Sequence, residues 1–268
     1  MKKFIAFAAI FCCIIAGLAF TACGKEEIVY IDDISIVEPS STSIRVGETF
    51  TLDCVILPEE VAEQAKVNWE ISDTTKLSYK NGEFTALTFG NVTVKSSVKG
   101  NDVYDEITFR VLAPAGYTEY SSTGYQLVYP SNWSYAPVGG IKQWAASGGS
   151  PNVNVTTETL NKAYMSASAS AFQLTYEMAY QQLGCTVNFK QPVKVEKSNY
   201  LGVTRVMVTS LYSVSGPGVS GSVHQTQVIF NNSDANLSCV LTVTFNEGDY
   251  DSAAEHLEQT ILSQFMPA

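Results

Sequence analysis

The chain has 268 residues, with 16 basic against 26 acidic side chains and a net charge of −10. With no basic stripe anywhere, that balance argues against a nucleic-acid partner, and 46% hydrophobic and 11% aromatic residues rule out a disordered chain. The length suits two domains of about 100–150 residues each.

Met1-Lys2-Lys3 is a basic start, and residues 4–20 carry no charge. The small residues Thr21 and Ala22 follow, then Cys23. A positive start, an apolar run and a small-residue exit describe a secretory leader. The run is long for a cleaved leader and slightly short for a spanning helix, which needs about 18–20 apolar residues. Phe20-Thr21-Ala22-Cys23 resembles the bacterial lipoprotein box, although that family usually has Leu, Val or Ile where Phe20 stands. The resemblance implies a signal peptide over 1–22 and lipid on the sulfur of Cys23. The protein would then be held on the extracytoplasmic face of the cell membrane by acyl chains worth about 0.8 kcal/mol per buried methylene. An uncleaved N-terminal anchor is the other reading, and it also leaves the rest outside, because the lysines stay in. Cys12 and Cys13 belong to the leader.

After a short tether over 23–27, alternation takes over. Phe50, Leu52, Cys54 and Ile56 share one parity, as do Val67, Trp69 and Ile71, and Ile107, Phe109 and Val111. Short strands at close spacing, with Gly47, Asn81-Gly82 and Gly100-Asn101 at turns, read as an all-β sandwich over 28–112. The stretch from Ser43 to Leu52, Pro58, Val67-Asn68-Trp69-Glu70-Ile71-Ser72-Asp73, and the stretch from Asn81 to Val94 resemble the signatures of the group 2 bacterial immunoglobulin-like domain. One local departure is Trp-Glu-Ile-Ser-Asp where the family has Trp-Ser-Ser-Asp. The resemblance implies an adhesive or spacer module with no catalytic residues, and Trp69 in its core. Cys54 points inward toward Val92, Val94 and Ser96, which predicts a buried free thiol. The residues from 23 to 28 extend at most about 20 Å, so this domain would stand close over the membrane as a pedestal.

A short linker, 113–116, leads to a second domain over 117–268. Strands are expected around 125–130, 141–146 and 152–158. Met165, Ala169, Phe172, Tyr176, Ala179 and Leu183 then recur at helical spacing before Gly184, a typical position just past a helix end. Five further strands follow, near 185–190, 193–197, 201–213, 222–230 and 237–245. A closing helix presents Tyr250, Ala254, Leu257, Ile261 and Phe265, with Ser252-Ala253-Ala254-Glu255 as a capping box. The pattern predicts an α+β antiparallel sheet covered by two helices. The opening stretch from Tyr125 to Trp133, the strand Asn152-Val153-Asn154-Val155 and the helix from Tyr250 to Phe265 resemble the PsbP-like fold. Its members are mostly accessory or binding proteins without a shared catalytic constellation, so no site residues carry over.

No chemistry-bearing motif stands out. Gly216-Pro217-Gly218-Val219-Ser220-Gly221 satisfies GxGxxG, but a strand follows it where a dinucleotide site needs a helix, so it reads as a hairpin loop. His224 and His256 sit in no nucleophile–histidine–acid pattern. The acidic run from Asn246 to Asp251 lacks the spacing of a calcium loop and suits a helix N-terminus. No CxxC or Cys/His cluster signals zinc. Cys185 and Cys239 each share a parity with core residues of their strands, which leaves a disulfide or two separate core thiols. Trp133 and Trp144 lie near loops beside Tyr135 and Gly139-Gly140. Burial is expected for Trp133, while Trp144 with Tyr135 would make a stacking surface for a glycan or peptide if exposed.

The sequence therefore predicts a non-catalytic binding or adhesive module, with no catalytic residue, metal or cofactor. Its partners are the membrane through Cys23 and a cell-wall glycan or surface protein. An accessory subunit of a membrane complex, and a hydrolase with an unrecognised site, are the alternatives.

Overall fold

The computed structural model describes residues 28–268. Cys23, the leader and the tether lie outside the described residues. Strands dominate and helices are few. The first are β1 (Asp33–Ile36), β2 (Ser43–Arg45), β3 (Thr49–Phe50), β4 (Cys54–Leu57), β5 (Val67–Ile71), β6 (Leu77–Lys80), β7 (Glu83–Ala86), β8 (Gly90–Val98) and β9 (Tyr104–Leu112), with one short helix, α1 (Glu59–Ala62). Then come β10 (Tyr117–Ser122), β11 (Tyr125–Pro130), β12 (Ser134–Tyr135), β13 (Lys142–Ala145) and β14 (Asn152–Thr159). Helix α2 (Ala169–Gln182) precedes β15 (Thr186–Phe189), β16 (Lys194–Tyr200), β17 (Val203–Gly216), β18 (Val219–Asn232) and β19 (Leu237–Asn246), and α3 (Ser252–Ser263) closes the chain. No helix among the described residues is long and apolar enough to cross a membrane.

The chain divides into two compact units. The first contains the described residues up to Val37, with Asp53–Trp69 and Lys95–Glu106. In it β1 and β4 pair antiparallel around a core of Ile31, Ile34, Ile56 and Val98. Asn101 pins the entering chain: its Oδ1 accepts from Ile31 N at 2.8 Å and its Nδ2 donates to Val29 O at 2.8 Å. Cys54 is a half-buried free thiol beside Ser96, and burial raises its pKa first and foremost. Trp69, expected in the core, is half-buried on a strand that alternates half-buried and exposed.

The second unit holds Glu38–Leu52, Glu70–Val94 and Ile107–Ala268. The inward parity expected across residues 50–56 is kept, but the strand is broken. β3 joins a three-stranded sheet with β7 and β6, whereas β4 pairs with β1. Asn81 and Gly82 both have positive φ, 55° and 88°, as a two-residue I′ hairpin between β6 and β7 requires. Phe50 stacks on Phe84 at 5.2 Å and meets Phe109 of β9 at 4.7 Å.

The expected linker, residues 113–116, lies inside this second unit. Arg110 pairs with Glu119, whose Oε1 accepts from Ala113 N at 2.9 Å. Gln126 Nε2 donates to Phe89 O at 3.2 Å and Gln264 Nε2 to Leu87 O at 2.9 Å. Phe89, Ala113 and Val128 share a small apolar cluster.

From β12 onward an 8-stranded antiparallel sheet runs β12-β13-β14-β19-β18-β17-β15, with β16 also on β17. Register decides its faces. Val155, Leu241, Val228 and Met207 are cross-strand partners in turn, and they face α3 and the β10–β11 hairpin. Val240, Ile229 and Val206 form the opposite row, where Phe172 of α2 packs. The two helices thus cover opposite faces. Burying both faces explains why β17, β18 and β19 carry apolar residues at both parities.

Each helix departs in detail from expectation. On α2 the covered residues are Ala169, Phe172, Gln173, Tyr176, Glu177 and Tyr180, while Ala179 is exposed and Leu183, just past the helix end, is 71% exposed. Tyr180 rolls the face round, because its hydroxyl meets that of Tyr212 at 3.1 Å. Gly184 takes φ 72° just past the helix end, as its position predicted. On α3 the cap is Asp251, whose carboxylate accepts from Ala253 N and Ala254 N at 2.9 Å, in place of the expected Ser252 box. Its buried stripe includes an unexpected carboxylate, Glu258.

Candidate functional site

A tight turn builds the site. Val138 and Ile141 bridge across Gly139 and Gly140, and both glycines have positive φ, 56° and 85°. Glycine accepts both such positions without strain. The turn delivers the chain into β13, where Lys142 lies opposite Val155 and Trp144 opposite Val153, all on the α3 face. The β10–β11 hairpin lies on the same face. Gly124 (φ 85°) turns it, and it brings Ser122 and Tyr125 to Lys142.

Between these elements opens a groove of about 370 Å³. Its floor is apolar, from Tyr125, Val155 and Leu237, and the hydroxyls of Ser122 and Thr157 line its walls. Lys142 Nζ donates to Ser122 Oγ at 2.9 Å and lies 5.3 Å and 5.7 Å from the ring centres of Tyr120 and Tyr125. No carboxylate pairs with Lys142 among the described residues. The Tyr120 hydroxyl beside it holds the ammonium above its ordinary pKa, so it stays charged at neutral pH. Burial pulls the Tyr120 phenol up, but the hydrogen bonds and charge of Lys142 with Ser122 bring it net below its usual range. Burial raises the Tyr125 phenol. This array offers a fixed cation and neutral hydroxyls. Neither a histidine nor a carboxylate lines the groove to move a proton.

Trp144 settles the question the sequence left open. It is 2% exposed, so it cannot be the stacking surface, whereas its cross-strand partner Tyr135 is 56% exposed. The Trp144 ring is enclosed by Tyr120 at 4.7 Å, Tyr129 at 5.1 Å and Tyr135 at 5.5 Å. Tyr135 alone is left to meet a ligand. Trp133 is buried as expected. Lys142 escaped the sequence reading, although it sits two residues before Trp144 on the same strand face and just after the Gly-Gly turn.

The other candidates resolve into structure. His224 Nε2 lies 3.6 Å from Glu258 Oε1 and 3.5 Å from Thr226 Oγ1, so acid and hydroxyl meet the same ring nitrogen. A relay needs them on opposite nitrogens. Gly216 and Val219 close a two-residue hairpin with Gly218 at φ 73°, so the GxGxxG match is a hairpin in which only Pro217 and Gly218 lie outside the strands. The acidic run is tied into the fold. Asn246 Nδ2 donates to Asp249 at 3.0 Å, Glu247 pairs with Lys190, and Asp251 caps α3. Among the described residues no group of three or more His, Cys, Asp or Glu could hold a metal. His256 is exposed.

Cys185 and Cys239 are free and do not share a core. Cys239 is opposite Phe230, which is opposite Arg205, whereas Cys185 is packed beside Gly216 at the far end of β17. Eleven residues of strand at about 3.3 Å each separate them by roughly 36 Å, and a disulfide requires Cα atoms within about 7 Å.

No protein-family model and no curated protein matches the chain. Among solved structures, the Ran-binding protein Mog1p of Saccharomyces cerevisiae is similar over 56% of this chain and 94% of its own, at 13% identity and a TM-score of 0.36. A Mog1 point mutant gives 14% identity with the same coverage and TM-score. The S-layer protein rSbsC is similar over 72% of this chain and 24% of its own, at 15% identity and a TM-score of 0.23. At such TM-scores these likenesses establish neither a common fold nor a function.

Proposed function

We propose that the protein is a lipoprotein of the extracytoplasmic membrane face, tethered through lipid on Cys23, and that it works as a non-catalytic binding module. In this reading residues 28–112 form an immunoglobulin-like pedestal and residues 117–268 a PsbP-like interaction domain. The groove beside Lys142 is the ligand seat; Tyr135, exposed beside Trp144, lies outside its lining and is a second contact for an extended ligand. Cell-wall glycan or a surface protein is the partner.

The observation that carries the reading is the Lys142 ammonium, held charged in a hydroxyl-lined groove with no carboxylate opposite it. Such a volume is at the low end of the range for small-ligand sites, about 300–1,000 Å³. A structural lysine on a strand would ordinarily send its charge into solvent or to an acid. The accessory-subunit reading draws on a different feature, the exposed Leu174, Met178 and Leu183 on and just after α2.

A photoreactive residue placed at Ile141, on the exposed groove rim, and separately at Met178 distinguishes the two. Crosslinking on intact cells should capture wall glycan or a surface protein from position 141. Capture of integral membrane proteins from position 178 alone would favour the accessory subunit, and labelling from neither position contradicts both readings.

A further inference from the structure

We infer that the groove beside Lys142 takes an acidic saccharide, a sugar ring bearing a carboxylate or a phosphate, with the anionic group on the Lys142 ammonium. The inference rests on the reading of this groove as the ligand seat.

Three features converge on that class of ligand. First, Lys142 is anchored and aimed: Ser122 accepts one of its three protons at 2.9 Å, and the Tyr120 and Tyr125 rings flank it. The Tyr120 and Tyr125 hydroxyls are the neutral partners of its other protons and no carboxylate among the described residues neutralises it, so an incoming anion meets an uncompensated cation that is already partly desolvated. Second, Thr157 stands on the exposed part of β14 on the same face as Val155, and Ser122 lines the groove from the β10–β11 hairpin, so the charge lies among hydroxyls from two elements. Each both donates and accepts, which matches the mixed pattern of a sugar's hydroxyls better than it matches a hydrocarbon or a bare inorganic ion. Third, the floor of Tyr125, Val155 and Leu237 is apolar and suits the C–H face of a pyranose ring. The Gly139-Gly140 turn leaves the mouth open, since a Cβ built on either glycine would meet nothing within 4 Å. Lysine recognises a carboxylate or a phosphate as a point charge, so the anion's identity is left to the hydroxyl walls.

The test is calorimetric titration of the full-length protein in detergent with glucuronate, glucose 6-phosphate and glucose, repeated on Lys142→Gln and Lys142→Arg. The expected result is binding of at least one acidic sugar and not of glucose, weakening as salt rises. Affinity should fall about tenfold to a hundredfold in Lys142→Gln, the value of one hydrogen bond to a charged group, and be largely retained in Lys142→Arg. Thermal unfolding of each variant is measured alongside, so that a collapsed fold is not read as lost binding. If glucose binds as well as the acidic sugars and Lys142→Gln binds them unchanged, the groove is a sugar seat but the charge assignment is overturned. If none of the three probes binds the folded protein, the acidic-saccharide assignment falls outright. The rim crosslinking from position 141 then decides separately whether the groove binds anything.

Discussion

Tyr250 Oη donates a 2.8 Å hydrogen bond to Glu258 Oε2 beneath the closing helix, and this is the main polar support of a carboxylate that is 2% exposed. The Tyr250 ring also stacks on His224 at 3.6 Å. Burial and then the neighbouring carboxylate push the Tyr250 phenol far up, which keeps it a donor at any working pH. Replacing Tyr250 by Phe strands the carboxylate, and the expected cost is about 1–3 kcal/mol of stability by urea unfolding. The double variant Tyr250→Phe with Glu258→Leu should cost less than the sum of the two single changes, because both polar partners leave together. Additive costs would show that the pair is not coupled.

Trp144 and Tyr135 are cross-strand partners with opposite exposures, and their substitutions should separate cleanly. Trp144→Ala empties the centre of a four-ring cluster and should cost about 3–5 kcal/mol. Tyr135→Ala should change stability by less than about 1 kcal/mol, since more than half of the residue is exposed. Thermal unfolding of the two variants under the same buffer checks this.

Burial pushes the Cys239 thiol from its ordinary 9.0 up to about 11. Cys239 is fully buried, so in native protein its alkylation should stay slow and require opening of the fold, whereas the half-buried Cys185 labels first. In the unfolded chain the same thiol ionises near pH 9, so between about pH 9 and 11 the unfolded state has released a proton that the folded state keeps. Folded stability from this group is intact below pH 9 and declines as pH climbs through that window. Peptide mapping after timed labelling checks the order, and a Cys185–Cys239 disulfide in the map would contradict the strand register.

Arg205 closes the last helix from beneath. Its guanidinium donates to Leu262 O at 3.0 Å and Phe265 O at 3.5 Å and lies 4.4 Å from the Tyr200 ring. A cation at a helix C-terminus satisfies orphan carbonyls and meets the negative end of the dipole. Burial lowers its pKa, yet an arginine remains charged. Arg205→Ala should destabilise by about 2 kcal/mol and speed amide exchange in the last turn of α3. Arg205→Lys should recover only part of this, since it loses the planar stack on Tyr200.

Much of the 8-stranded sheet and its two helices was legible because register writes itself into parity. The long strands β17, β18 and β19 and the glycine after α2 follow from period and turn chemistry. The sequence could not show which apolar rows face which helix, because both faces of the sheet are buried and both parities are apolar. Nor could it show Glu258 inside the α3 stripe, where a carboxylate becomes tolerable only through Tyr250, eight residues earlier. The break between β3 and β4 kept the expected parity while changing the pairing partner, which alternation alone does not record. At the site, Trp144 looked ambiguous because its cover comes from Tyr120 and Tyr129 on a hairpin distant in pairing. Lys142 was overlooked for the same reason: its interest lies in what the β10–β11 hairpin brings to it.

The proposal depends most on where the chain is held, and intact-mass measurement of the protein purified from its native membrane tests that directly. The expected species begins at Cys23 and carries the added mass of acyl chains on that residue. A chain that retains residues 1–22, or one that begins at Cys23 without acyl mass and is recovered free of the membrane, would contradict it.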